Sequence, residues 1–205
     1  YAVRFVDCNQ NLSSVSNIAE SRNIWLNGWT YFNATNSPLP SNKITSMIRD
    51  SRGRLWLGTY NGLACKDGEE WQTYQTSNSA IPYDLITSVA EGPDGVIWVG
   101  TPHGLGRFDG TEWLSFTKAN SDIPKEEISR VAVALDGSVW LGYAQYGAVS
   151  FDQKNWTVYN PANSPLKGNT VYALSRDSRG VIWIGTNSGV NRVEAGNWAA
   201  FDPTN

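Results

Sequence analysis

His103 is the one histidine in the sequence, and it limits the acid–base chemistry that the chain offers. A catalytic histidine needs a neighbouring acid or nucleophile, and no such partner recurs at a suggestive spacing. The acidic pairs Glu69-Glu70 and Glu126-Glu127 lack the spaced oxygen ligands of a calcium loop. One His and two Cys are too few for a Cys/His zinc site. We therefore expect a non-enzyme with no metal and no cofactor.

Recognition is the chemistry that the sequence offers instead. Short segments rich in Tyr, Asn and His recur at equivalent places in the chain, and such side chains suit contacts to a sugar or to a protein surface. The predicted contact residues are Tyr60, Asn61, His103, Tyr143, Gln145, Tyr146 and Asn187. The alternative is that these segments vary because nothing constrains a surface turn.

Two cysteines, Cys8 and Cys65, raise a separate question. In an oxidising compartment they could form a disulfide that tethers the start of the chain. Two unpaired thiols are the alternative, and the sequence leaves both open.

The composition restricts the class of protein. Charged residues make up 17% of the 205 residues, the net charge is −3, and there is no basic block, so nucleic acid and anionic membranes are poor partners. No apolar run approaches the roughly 18 residues that a membrane span requires. Aromatic residues reach 12%, with ten Trp, which a disordered chain would not carry. These values predict a folded, mostly β protein.

The tryptophans reveal an internal repeat. One set lies at 56, 98, 140 and 183, and a second at 29, 71, 113, 156 and 198, so nearly every step is 42 residues. The first set lies in similar phrases, among them Leu55–Thr59 and Ile182–Thr186. The one step of 43 in each set reflects a single extra residue in segment 143–147. A repeat of 42 residues therefore indicates the type of fold that must position the predicted contact residues.

Within each copy the pattern has the period of a β-strand. Residues 44–48 alternate, Asp50-Ser51-Arg52-Gly53 reads as a tight turn, and Asp67-Gly68 is a strong hairpin signal. Four short strands per copy is the content of one β-propeller blade. A blade has two apolar faces and cannot bury both alone, so blades must stack around a ring. We expect the Trp residues to lie between adjacent blades, and the Gly two residues after the first-set Trp to give a neighbouring backbone room.

The predicted domain is a single all-β propeller over residues 1–205, most simply five-bladed. Its predicted blades are a degenerate 1–32, then 44–75, 86–117, 128–160 and 171–202. A fragment of a larger ring, closed by other sequence or by a second chain, is the alternative. In either case the second turn of each blade and the loops between blades share one face, which would present the contact residues listed above.

The segments 50–63 and 177–190 resemble the repeat of the two-component regulator propeller family, roughly Asp-x-x-Gly-x-[Leu/Ile]-Trp-[Ile/Val]-Gly-Thr-x-x-Gly-Leu. The copies at 92–105 and 135–148 fit less closely. The resemblance implies a β-propeller and an extracytoplasmic, bacterial location, either periplasmic, secreted or at the cell surface. In that family such repeats commonly form sensor domains, several of which respond to polysaccharide fragments.

The function expected from these observations is a non-catalytic propeller that binds a protein partner or a glycan through one loop face. A structural subunit of a larger assembly is the alternative. A carbohydrate-active enzyme would need two carboxylates facing one another in the central channel. The predicted first strands, residues 44–48, 86–90, 128–132 and 171–175, contain no Asp or Glu, which argues against that third possibility.

Overall fold

The computed structural model describes residues 30–202, whose regular elements are sixteen strands in four antiparallel sheets. Each sheet is a meander of four strands that are consecutive in the chain, and we call these sheets blades 1 to 4. This confirms the predicted all-β architecture of four-stranded antiparallel blades. Within the described range no helix is long and apolar enough to cross a bilayer.

The strands follow one another without crossovers. Blade 1 contains β1 (Ile44–Arg49), β2 (Leu55–Thr59), β3 (Gly62–Asp67) and β4 (Glu70–Tyr74). Blade 2 contains β5 (Ser88–Glu91), β6 (Ile97–Thr101), β7 (Gly104–Phe108) and β8 (Trp113–Phe116). Blade 3 contains β9 (Ile128–Val133), β10 (Val139–Tyr143), β11 (Gly147–Phe151) and β12 (Trp156–Tyr159). Blade 4 contains β13 (Val171–Arg176), β14 (Ile182–Thr186), β15 (Gly189–Glu194) and β16 (Asn197–Phe201).

The turn between the second and third strands of a blade requires glycine. Gly62 has a φ of +124°, and a Cβ there would lie 2.8 Å from the carbonyl oxygen of Tyr74. Other residues rarely adopt this φ, and the backbone oxygen leaves no room for a side chain. This glycine therefore brings β3 close to the outer strand and keeps the turn short.

The hydrophobic core lies between successive blades. The first strands contact one another in the order β1, β5, β9 and β13. Trp56 of blade 1 is fully buried and stands edge-on to Phe108 of blade 2, with 6.0 Å between the ring centroids. Trp98 and Trp140 likewise contact a ring of the following blade. The predicted position of these tryptophans between blades is therefore confirmed.

Glycine also makes room between blades. A Cβ on Gly58 would lie 2.8 Å from the Cγ2 atom of Ile86 in the next blade. Gly100 and Gly142 receive Ile128 and Val171 in the same way. The space is thus filled by a β-branched side chain, whereas the sequence predicted an approach of backbone. Blades 2, 3 and 4 thus each insert a β-branched side chain from the start of the blade into a glycine socket of the blade before it.

The aspartate of the first turn stabilises both the turn and a tryptophan. Oδ1 of Asp50 accepts hydrogen bonds from the backbone N–H groups of Arg52 and Arg54. Its Oδ2 accepts bonds from the Arg54 side chain and from Nε1 of Trp56 at 2.8 Å. Burial acts to raise the pKa of Asp50, but the bonds from Trp56 and Arg54 outweigh it and lower the pKa. Asp177 holds Trp183 in the same arrangement.

The described residues begin with the end of a further repeat. Phe32 stands edge-on to Trp71 with 5.4 Å between centroids, and Leu39 is buried against Leu57. The predicted blade at 1–32 lies almost wholly outside the described residues, as does Cys8. Cys65 is buried and is a free thiol, and its burial raises the pKa to about 11. The five-blade ring remains a prediction.

Candidate binding face

The turn between the second and third strands meets the connecting loops on one face of the molecule. In blade 1 the N–H of Gly62 donates to the carbonyl of Asp84, and the N–H of Ile86 donates to that of Thr59. In blade 3 the N–H of Gly147 donates to the carbonyl of Asn169. These backbone bonds fix the turns against the loops. We call this surface the loop face.

In blade 1 the loop face presents Tyr60, whose residue surface is 54% exposed. The ammonium group of Lys43, from the loop that enters the blade, lies 4.8 Å from the centre of the Tyr60 ring. The backbone N–H of Tyr60 donates to the carbonyl of Lys43, so turn and loop are also joined directly. Asn61 is exposed beside it, and its carbonyl accepts a bond from the side chain of Gln75. One edge of this ring is therefore held while the rest faces solvent.

Blade 2 repeats the arrangement with different side chains. His103 is exposed, and its ring centroid lies 4.5 Å from that of Tyr83, a residue of the entering loop that is 45% exposed. The backbone N–H of His103 donates to Oγ1 of Thr101. Among the described residues, the contacts of His103 are with the Tyr83 ring and Thr101, and none of them is with a carboxylate.

Blade 3 carries the segment with the extra residue. Tyr146 is half-buried, with the Lys125 ammonium 5.6 Å from its ring centre. Tyr143 is fully buried, stands edge-on beneath Tyr146, and donates its hydroxyl to the carbonyl of Lys125 at 2.9 Å. Burial raises the pKa of Tyr143 well above its ordinary value. Tyr143 is the one predicted contact residue without solvent-exposed surface, and here it supports Tyr146 from below.

Gln145 forms the tip of the blade 3 turn. Its φ of 58° lies in the left-handed region, and its N–H donates to Oγ1 of Thr170 at 3.3 Å. In blade 4 the exposed Asn187 binds the same threonine: its Oδ1 accepts from the Thr170 N–H, and its own N–H donates to the Thr170 carbonyl. The turn of blade 4 therefore presents an amide, whereas the corresponding turns of the other three blades each present a ring.

The entering loops contribute residues that the sequence analysis missed. Lys43, Tyr83 and Lys125 each pack a cation or a ring against the aromatic side chain of the turn. The Asn-Ser segments of these loops have a structural role. For example, Asn78 accepts the N–H of Gln75 and donates to the carbonyl of Thr73, which closes the loop on itself. Tyr83 and Lys125 stand one repeat apart, and this equivalence was the signal available in the sequence, whereas Lys43 lies at a different repeat position.

The opposite face has a cavity of about 300 Å³ at the centre of the blades. It is lined by the ends of all four first strands, including Arg49, Glu91 and Arg176. Strand β5 extends to Glu91, so the expectation that the first strands contain no carboxylate is wrong by one residue. Glu91 is held by the N–H and hydroxyl of Ser51. Among the described residues it is the one carboxylate lining this cavity, and a glycosidase-type reaction needs two.

A second cleft, of about 330 Å³, opens on that same side between blades 3 and 4. Leu135, Asp136, Arg179 and Glu194 from the turns of these blades line it. Asp136 is occupied by the N–H and hydroxyl of Ser138. The cleft therefore lies between the turns of two blades, and Asp136 is engaged within its own turn.

Three stretches of the sequence, residues 38–61, 80–103 and 165–188, match the family described as two component regulator propeller. Each stretch covers an entering loop, the first two strands and the turn that follows. A search of curated proteins returned no match for the chain.

Solved propeller structures are similar to the chain at low identity. The extracellular domain of a hybrid two component system from B. thetaiotaomicron is 17% identical, with a TM-score of 0.61 over 79% of this chain and 25% of that one. Virginiamycin B lyase from Staphylococcus aureus is 14% identical, with a TM-score of 0.62 over 98% of this chain and 62% of the enzyme. PorZ, a surface component of the type-IX secretion system of Porphyromonas gingivalis, is 15% identical, with a TM-score of 0.57 over 81% of this chain and 27% of PorZ. The chain thus spans about a quarter of the first and the last of these structures, and these likenesses establish the propeller fold alone.

Proposed function

We propose that the chain is a non-catalytic recognition module, on the premise that three of its stretches match the two-component regulator propeller family. It binds a protein partner or a glycan through the loop face. The observation that carries the proposal is the row of ring-bearing contacts in blades 1 to 3, at Tyr60, His103 and Tyr146, each packed against the entering loop. Function in such repeats resides in the loops, because the repeated residues build the blades.

The geometry of the loop face suits binding. Aromatic rings held at one edge lose little conformational entropy when a partner covers them, and their faces can stack on a sugar ring or pack against a protein. The lysine beside Tyr60 adds positive charge at that position, which favours a neutral or acidic partner there. Lys125 beside Tyr146 is paired with Glu127 at 3.7 Å. Backbone hydrogen bonds between turns and loops keep the rings at fixed separations.

An extracytoplasmic location belongs to the same proposal. Its support is the family resemblance and the likeness to extracellular domains of two-component systems. Fractionation of the source cells is the direct measurement. Recovery of the protein with cytoplasmic markers would contradict this part of the proposal.

Binding is tested with a glycan array and with affinity capture from extracellular or envelope fractions, using the folded chain as the probe. The variants Tyr60→Ala and Tyr83→Ala each remove one ring of the loop face. Leu114→Ala is the matched control, because Leu114 is 50% exposed on an outer strand away from that face. We expect each ring variant to weaken capture or array binding at least about tenfold, as loss of an aromatic hot spot does, while the control binds normally.

Equal binding by all three variants would show that the partner uses another surface. Absence of both a glycan signal and a stoichiometric protein partner would contradict recognition as the function.

A further inference from the structure

The central cavity on the side opposite the loop face has a positively charged lining. Arg49, Glu91 and Arg176 line it at the ends of the first strands of blades 1, 2 and 4. Two guanidinium groups and one carboxylate give this lining a formal charge of +1, whereas the net charge of the whole chain is −3. The cavity therefore concentrates positive charge on an acidic protein.

Glu91 does not pair with either arginine. Its Oε1 accepts the hydroxyl of Ser51 at 2.6 Å, and its Oε2 accepts the Ser51 N–H at 2.8 Å. These bonds hold the carboxylate against the first turn of blade 1. Among the described residues no ion pair joins Glu91 to a guanidinium group.

Arg176 lacks an acceptor for its side chain. The residue is half-buried, and its Nη1 atom is buried without a hydrogen-bond partner in the part of the chain that the structure describes. A buried donor without an acceptor destabilises a fold. Val133 holds the same repeat position in blade 3, so the blade itself does not require an arginine here. A ligand oxygen in the cavity would supply the acceptor.

Arg49 also keeps donors available. Its Nε donates to the carbonyl of Gly53 at 3.2 Å, which fixes the side chain over its own turn. The residue is exposed, and within residues 30–202 its two terminal nitrogens have no bonded acceptor. Arg49 therefore adds positive charge at the edge of the cavity that no ion pair offsets.

Apolar side chains form much of the remaining lining. Val89, Val131 and Leu174 hold the same repeat position in blades 2, 3 and 4, and all three line the cavity. The two valines are buried, and Leu174 is half-buried. The volume of about 300 Å³ is at the lower end of ordinary small-molecule pockets. The cavity thus offers a small ligand an apolar surface beside two guanidinium groups.

We propose that this cavity binds a small organic anion that carries one carboxylate group on an apolar body. Arg176 donates to the carboxylate, with which a guanidinium group forms paired hydrogen bonds, and Arg49 adds positive charge beside it. The apolar body packs on Val89, Val131 and Leu174. The site lies on the face opposite the loop face and is independent of the recognition proposed there.

The charge of the lining favours a monoanion. A single carboxylate matches the formal charge of +1 that the two arginines and Glu91 give together. A phosphate dianion carries more negative charge than this lining offsets, and Glu91 repels it more strongly. A carboxylate also leaves the rest of the ligand free to be apolar, as the valines require.

Calorimetric titration of the folded chain tests this assignment, with hexanoate as the probe. Hexanamide has the same apolar chain without the charge, and inorganic phosphate has charge without the apolar chain. We expect hexanoate to bind saturably and the other two at least about tenfold more weakly, because each lacks one half of the interaction. Equal binding of hexanamide, tighter binding of phosphate, or no saturable binding of hexanoate would each overturn the proposal.

Charge substitutions locate the site. Arg176→Gln should weaken hexanoate binding at least about tenfold, because it removes the charged donor. Arg52→Gln is the matched control, since it removes the same charge from an exposed turn residue that does not line the cavity. Glu91→Gln should strengthen binding several-fold, because it removes the repelling charge. Unchanged binding by Arg176→Gln, or weaker binding by Glu91→Gln, would contradict the assignment.

Unfolding in urea separates binding from folding. Arg176→Val introduces the residue that blade 3 has at this position, and it removes the unpaired donor, so we expect this variant to be at least as stable as the parent without ligand. Hexanoate should raise the unfolding midpoint of the parent and of Arg52→Gln, and leave that of Arg176→Val unchanged. An equal rise in all three would place hexanoate at another site and overturn the proposal.

Discussion

The junction of blades 1 and 2 has the same repeat positions as the exposed side of blade 4, which carries Val190 and Phe201 and which we call its trailing face. The two regions place these positions in different environments. At the junction, Trp56 is fully buried against a ring of its own blade and a ring of the next. On the trailing face, the half-buried Trp183 stacks on Phe201 of its own blade, with 6.2 Å between centroids, and no described residue of a further blade reaches it. The repeat supplies the interface residues in both places, but only a following blade buries them.

The comparison shows where the stability of such a fold resides. Each blade buries little by itself, and the large side chains gain their full burial at the junction. Equivalent substitutions at the two sites should therefore differ in cost by the contribution of the neighbouring blade. The following predictions use matched pairs, measured as the free energy of unfolding in urea, to test that difference.

The largest difference is expected for the tryptophans. Trp56→Ala removes a fully buried indole and its contacts across the junction, and should cost about 3–5 kcal/mol. Trp183→Ala removes a half-buried indole and should cost about 1–2 kcal/mol. Equal costs would contradict the prediction, because Trp183 would then be covered as completely as Trp56.

The next largest difference in stability cost is expected between the two turn aspartates, Asp50 and Asp177. Asp50→Asn weakens charged hydrogen bonds to Trp56 and Arg54 and should cost about 1.5–3 kcal/mol at neutral pH. Asp177→Asn should cost less, since the Asp177 side chain is 29% exposed whereas that of Asp50 is fully buried. A larger effect at Asp177 would contradict the ordering of the two sites.

The same aspartates determine the direction in which the stability of the fold changes with pH. The pKa values of Asp50 and Asp177 are lowered in the folded protein, so their stabilisation is present above the ordinary carboxyl pKa of 3.8. It is lost as the pH falls below that value toward the folded-state pKa. Unfolding midpoints measured from pH 6 downward should fall less steeply for Asp50→Asn than for the parent chain.

The glycine sockets provide a third matched pair of substitutions. Gly58→Ala places a Cβ 2.8 Å from Ile86 and should cost about 1–3 kcal/mol by overpacking. Gly185→Ala meets only Ala173 at 3.3 Å and should change stability by less than about 1 kcal/mol. A cost at Gly185 as large as that at Gly58 would show that a bulky side chain already fills this socket.

The smallest effect is expected for the side-chain bond that joins two first strands. The hydroxyl of Thr45 donates to the carbonyl of Ile86 in the next blade, so Thr45→Val should cost about 0.5–1.5 kcal/mol. Tyr172, its counterpart in blade 4, is 61% exposed, and Tyr172→Val should stay within about 0.5 kcal/mol of the parent. A cost at Tyr172 equal to that at Thr45 would indicate an undetected contact on the trailing face.

The strands and their sheets could be predicted from the sequence, because each blade junction buries the same type of residue at the same position of the 42-residue repeat. The spacing of Trp56 and Trp98 therefore specified the repeat, and the alternation of residues 44–48 specified a strand. The extension of β5 to Glu91 could not be predicted, because its carboxylate is held by Ser51 of another blade, 40 residues away. Local patterns do not report such a contact.

The loop face was predictable in part. Exposed turn residues such as Tyr60 and His103 follow from the hairpin signals. Tyr143 was assigned to the same surface but is buried, since it ends a strand at the position where Thr59 and Thr101 are also buried. The partners Lys43 and Tyr83 were missed, because their contacts depend on how a loop folds back over the turn it precedes.

The claim that blade 4 carries a blade junction that no described residue covers is tested most directly by thiol labelling. Val190→Cys and Leu63→Cys are introduced separately in a chain with Cys8→Ser and Cys65→Ala. Val190 is 40% exposed and its counterpart Leu63 is fully buried, so the account predicts fast labelling of Val190→Cys and slow labelling of Leu63→Cys. Equally slow labelling of both positions would contradict it.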